Sequence, residues 1–141
     1  MANKEILGTA GGMGSPASAE FVEIIYELGS YKQEQASPTV LLHSDPTFPD
    51  RTQSLLAGED EPLLHKLIEG LNVLNRLGTS GIVICCVTLH CLLPKLPAEL
   101  RARIISLLNV ILLSLLKKSH SWRQGFCQCQ GSTKECEVGQ I

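Results

Sequence analysis

Residues 5–28 read EILGTAGGMGSPASAEFVEIIYEL, and this stretch decides the fold. The apolar run 5–8 predicts a strand that opens into the glycine-dense turn Thr9-Ala10-Gly11-Gly12-Met13-Gly14. Ser15-Pro16 then starts a segment with Phe21, Ile24, Ile25 and Leu28 at the i, i+3, i+4, i+7 spacing of an amphipathic helix, where Pro16 suits the first turn. Strand, turn and helix in that order make one βα unit.

Three further apolar runs repeat the pattern. A second strand is expected over 39–43, ended by the turn formers Ser44-Asp45-Pro46. The stretch from Asp45 to Pro62 holds three prolines, Gly58 and the acidic Glu59-Asp60-Glu61, which predicts a long loop with a functional role. A helix is expected over 61–77, with Leu64, Leu67, Ile68, Leu71 and Leu74 on one face and Gly78 as its stop. The continuously apolar residues 81–86 predict a third strand covered on both faces. Short helical segments at 87–93 and 98–103 flank Pro94, and 104–108 is the expected fourth strand, followed by a helix over 110–118. Such alternation predicts an α/β fold: one flavodoxin-like domain over 1–118, with a four-stranded, mainly parallel sheet flanked by helices. Residues 119–141 are polar and aperiodic, and are expected to form an irregular tail.

The 141 residues are 44% hydrophobic and 18% charged with a net charge of -2, which excludes a wholly disordered chain and gives no electrostatic footprint for nucleic acid. The longest apolar stretch, 104–116, is thirteen residues and interrupted, short of the roughly 20 a membrane span requires. Neither nucleic acid nor a membrane is an expected partner. All six cysteines lie at or beyond Cys85, so they do not form a disulfide framework. No apolar run of signal-peptide length precedes the small residues Ala17-Ser18-Ala19, and the expected location is the reducing cytoplasm.

Ligands of doubly wound folds sit at the carboxyl ends of the strands, and three loops there carry unusual residues. A glycine turn before a helix lets backbone N–H groups approach an anion, although the same glycines serve equally for a tight turn. Arg51 suits a bidentate clamp on a carboxylate, or a solvated pairing with Asp50. Cys86 closes a strand just before a helical start, where a thiolate is favoured, while Cys85 points to the other face as an inert thiol. The spacing Cys127, Cys129, Cys136 with His120 lacks the paired CxxC knuckles of a zinc ribbon, so no metal is expected.

Together, Gly11-Gly12-Met13-Gly14-Ser15-Pro16-Ala17-Ser18, Ser44-Asp45-Pro46-Thr47-Phe48-Pro49-Asp50-Arg51 and Cys86-Val87-Thr88-Leu89-His90 resemble the three amino-terminal motifs of the aspartate/glutamate racemase family, in order and interval. The resemblance covers about residues 4–118 and is nearest to cofactor-independent aspartate racemases of the kind associated with cyanobacterial peptide synthesis. It implies two-base chemistry without a cofactor, in which one cysteine removes the α-proton of aspartate and a second, on the opposite face, returns one. By motif, Cys86 is the amino-terminal acid/base and Arg51 holds a substrate carboxylate. Thr88 and Ser18 donate hydrogen bonds beside the backbone N–H groups near Met13 and Gly14, and His90 supports the site from behind. Full-length relatives imply a homodimer.

Two departures stand out. Val87 replaces the family's usual Asn, and the Gly-Cys-Thr-Glu type motif of the second racemase half is absent from the sequence. The chain therefore reads as the first half of a two-domain racemase fold, truncated or frame-shifted near Ser119, with little or no racemisation expected from it alone. The alternative is a non-catalytic remnant that binds a small dicarboxylate or self-associates through the apolar surface left bare.

Overall fold

A computed structural model of the chain describes residues 5–29 and 34–114. By its contacts the chain divides into two units, 1–108 and 109–141, and every candidate site residue named above lies in the first. The boundary expected near Ser119 and the tail cysteines lie outside the described residues.

Three parallel strands form the sheet: β1 (Ile6–Gly11), β2 (Thr39–Ser44) and β3 (Gly81–Ile84), in the order β2-β1-β3. Between them run α1 (Ser15–Leu28), α2 (Arg51–Leu56) and α3 (Glu61–Arg76), and β3 leads into a 3-10 helix (Val87–Lys95) and α4 (Ala98–Arg101). Ala10 of β1 packs with the leucines of α3, whereas a Cβ added at its neighbour Gly11 would lie 2.4 Å from Ser18 Oγ of α1. Successive strand residues point to opposite faces, so α1 and α3 cover the two sides of the sheet.

The core sits on the α3 side. Leu63, Leu67, Leu71 and Leu74 recur at the helical spacing and bury against Ala10, Ile82 and Ile84, with Leu89 and Leu92 of the 3-10 helix and Leu100 of α4 closing the cluster. Leu67 is 1% exposed in the middle of this layer, so Leu67→Ala leaves a cavity and is expected to cost about 2–5 kcal/mol in urea unfolding. A loss below about 1 kcal/mol would show that the α3 face is not the core.

Three sequence expectations change. The fourth strand is not formed: Ile104 makes only an isolated parallel bridge to Ile82, and residues 107–114 are helical. The ladder here is two bonds, Ile82 N–H to Arg103 O at 2.9 Å and Ile105 N–H to Ile82 O at 2.8 Å. It ends with the β-branched pair Ile104-Ile105; beyond Ser106 the leucine-rich segment takes the helix, because a short apolar run has no periodicity that separates the two states.

Strand β1 runs on through Gly11 instead of ending at Gly8, because Thr9 and Ala10 pair with both neighbouring strands and Gly11 stays in register with Ser44 of β2. The expected loop from Asp45 to Pro62 contains α2. Its signal is Asp50-Arg51-Thr52-Gln53, an N-cap residue with Gln three places on, and Asp50 Oδ1 accepts the Gln53 N–H at 2.9 Å.

Candidate active site

Parallel strands place all their following loops on one edge, and here that edge is drawn tight. Asp45 N–H donates to Gly11 O at 3.2 Å and Cys85 N–H donates to Ala10 O at 2.8 Å, so the loops after β2 and β3 both hang from the end of β1. Gly12 (φ +96°) lets the turn after β1 lie directly on the Asp45 backbone, where a Cβ would come within 2.3 Å of Asp45 N and O. Met13 follows, buried, and Gly14 at φ +101° caps α1. The amino terminus of a fourteen-residue helix thus opens at this edge, with the partial positive charge that draws a carboxylate.

Ser18 lies one turn into α1 and is fully buried. Its Oγ accepts the Gly12 N–H at 3.1 Å and donates to Gly14 O at 3.3 Å. The hydroxyl that the family likeness gives to the substrate here ties the glycine turn to the helix.

Cys86 ends the extended chain after β3, with φ -154° and ψ 107°, and stands at the N-cap position of the 3-10 helix. It is half-buried, a free thiol, and packs on the same apolar cluster as Met13, Phe48 and Leu55. Strand alternation puts Cys85 on the α1 side; burial first, then the adjacent Cys86, push its thiol up to about 11, so it is protonated at neutral pH. His90 is 4% exposed, with Nδ1 3.2 Å from Cys86 O and Nε2 buried without a partner. If Nδ1 carries the proton, His90 donates to the Cys86 carbonyl and fixes the backbone that presents the thiol. Burial lowers the His90 pKa and favours that neutral ring. Thr88 is exposed on the same 3-10 helix, and its carbonyl accepts the Cys91 thiol at 3.0 Å.

Arg51 is the first residue of α2, which packs against the 3-10 helix. The glycine turn, Arg51, Cys86 and Thr88 all lie on segments that follow the carboxyl ends of the strands, while His90 and Ser18 are buried. Sequence reading missed Lys66. From α3 it reaches Asp45 Oδ2 at 2.9 Å and also bonds the Thr47 hydroxyl, which itself donates to Asp45 Oδ1 at 2.6 Å. Thr47 N–H adds a fourth bond, to Oδ1 at 2.8 Å. No sequence signal announces this, since Lys66 lies 21 residues from Asp45 on the polar flank of an amphipathic helix.

Among the described residues, no group of three or more His, Cys, Asp or Glu could hold a metal ion, and no helix is long and apolar enough to cross a membrane. The loops that follow the three strands thus carry a thiol, the amino terminus of α1 and a cation at the start of α2; taking a proton next to a carboxylate requires a base with N–H donors and a cation at hand.

A family model described as Asp/Glu/Hydantoin racemase matches residues 11–123. Among solved structures, the Picrophilus torridus aspartate racemase superposes with a TM-score of 0.70 at 25% identity, covering 82% of this chain and 48% of its own. An aspartate racemase homologue from Pyrococcus horikoshii shares the fold, with a TM-score of 0.64 at 20% identity over 82% of this chain and 50% of that one. This chain spans about half the length of both. The match over most of the sequence, falling on a fold that carries the glycine turn, Arg51 and Cys86 on segments following the carboxyl ends of the strands, makes this chain a member of the Asp/Glu/hydantoin racemase family.

Proposed function

We propose that the chain is an aspartate-binding half of a racemase site, with Cys86 as the base that works on one face of the α-carbon. The observation that carries this reading is the free, half-buried Cys86 after β3, with the amino terminus of α1 and the helix that begins with Arg51 following the other two strands. In the proposed reaction the α1 terminus and Arg51 hold the carboxylates of aspartate, with N–H groups near Met13 and Gly14 and the Thr88 hydroxyl as donors. The Cys86 thiolate takes the α-proton and becomes a thiol. The electron pair of the broken C–H bond moves into the adjacent carboxylate, where the cation and N–H donors stabilise it. No cofactor takes part in this scheme, and a reduced thiol goes with a cytoplasmic location.

Inversion requires a second acid on the far face, and the sequence holds no Gly-Cys-Thr-Glu type motif to supply it. With Cys86 alone the proton returns to the face it left, so the proposed outcome for this chain is exchange with retention and little or no D-aspartate. The test is L-aspartate in D2O with the purified chain. NMR is expected to show loss of the α-proton signal while chiral chromatography finds only the L enantiomer. Rapid formation of D-aspartate would refute the half-site reading, and no exchange above the protein-free rate would refute the catalytic one. A homodimer, as the family likeness implies, belongs to the same proposal and is checked by light scattering.

A further inference from the structure

We propose that Lys66 is a positioning residue of this site: its ammonium clamps the β2–α2 loop at Asp45 and Thr47, and through that loop sets where Arg51 stands relative to the glycine turn. The inference rests on the racemase reading of Arg51, but its structural basis is independent of it.

Asp45 is the joint. Its backbone N–H is bonded to Gly11 O, and its backbone is the surface against which Gly12 lies. Both carboxylate oxygens are engaged, Oδ1 by the N–H and hydroxyl of Thr47 and Oδ2 by Lys66. The Thr47 hydroxyl first, and Lys66 with it, hold the carboxyl well below the usual carboxylate range, so the joint stays charged throughout the neutral range.

From there to Arg51 the chain has little slack. The five intervening residues are Pro46, Thr47, Phe48, Pro49 and Asp50. The two prolines have fixed φ, Phe48 packs on the core cluster, and Asp50 caps the first turn of α2. A displacement at Asp45 therefore passes to the start of α2. Lys66 is the one group in this clamp that comes from outside the loop, and it fastens the loop to α3, the helix that carries the core. Without the ammonium, Asp45 Oδ2 loses its cation and the Thr47 hydroxyl loses a partner, and among the described residues no hydrogen bond from Asp45 or Thr47 then fastens the loop to α3.

The test compares Lys66→Met, which keeps the stem and loses the charge, with Lys66→Arg, which keeps the charge. Three readouts are followed in the full chain: amide hydrogen exchange over residues 45–56, the Arg51 side-chain Nε–H resonance, and the dissociation constant for L-aspartate by NMR titration. Lys66→Met is expected to speed loop exchange about three- to tenfold, the range for losing a partly exposed charged hydrogen bond. It should leave β1 exchange unchanged, move the Arg51 resonance and weaken aspartate binding by a similar factor. Lys66→Arg is expected to restore all three. Unaltered loop exchange and Arg51 resonance in Lys66→Met would overturn the proposal, as would a loosened loop with wild-type aspartate affinity. If the wild-type chain binds no aspartate while the loop and Arg51 respond as described, the racemase reading falls and the positioning of Arg51 by Lys66 stands.

Discussion

Cys86→Ser is expected to lower α-proton exchange of L-aspartate by about 10²–10⁴-fold, the share that a positioned acid/base contributes to such reactions. The substitution nearly preserves size at a half-buried position, and urea unfolding of the variant checks that loss of fold is not the cause. What changes is the base. A serine hydroxyl at neutral pH holds its proton and supplies no base, whereas the proposed reaction is carried by a thiolate. The neighbouring thiol is the internal control. Cys85 is held protonated by its burial, its pKa pushed up to about 11, and it lies on the opposite face of the strand, so Cys85→Ser is expected to leave exchange within about twofold of wild type. Exchange that survives Cys86→Ser, or that fails with Cys85→Ser instead, would assign the chemistry to another group.

A large stability effect is expected at Gly12. Its φ of +96° is a conformation that residues with side chains rarely adopt, and a Cβ there would meet Asp45 backbone atoms at 2.3–2.4 Å. Backbone cannot swing aside as a side-chain tip does; the β2–α2 loop or the glycine turn must shift. Gly12→Ala is therefore expected to cost more than about 3 kcal/mol, the sum of a strained dihedral and an overpacked contact. Gly58 offers the comparison: its φ is +73°, but nothing lies within 4 Å of the added Cβ, so Gly58→Ala bears the dihedral strain alone, about 1 kcal/mol. The difference between the two variants in urea unfolding isolates the close approach at Asp45. Equal losses would mean that the turn does not lie on that backbone.

Much of the fold is legible in local residues. Ser15-Pro16 marks the start of α1 and the apolar spacing its helical course, and the leucines from Leu67 to Leu74 mark the buried face of α3. These signals work because capping, proline stereochemistry and helical periodicity act within a few residues of one another. The short helix α2 was legible too, in the spacing of Asp50 and Gln53, but prolines on both sides of it read as loop.

The candidate site divides in the same way. Glycine turn, Arg51 and Cys86 announce themselves by residue type and by their places after strands, whereas the meeting of Lys66 with Asp45 depends on how α3 crosses the sheet. By itself the amino-acid sequence determined the βα alternation, the helix starts, the family motifs and the loops in which chemistry would be found, all of them short-range consequences of residue type. Tertiary structure alone decided that β1 extends through its glycines, that 104–108 makes a single bridge before turning helical, that Ser18 serves the turn, and that a lysine on α3 clamps the arginine loop. Each of those outcomes turns on hydrogen bonds or contacts between segments distant in the chain, whose energies exceed the weak local preferences of the residues that make them.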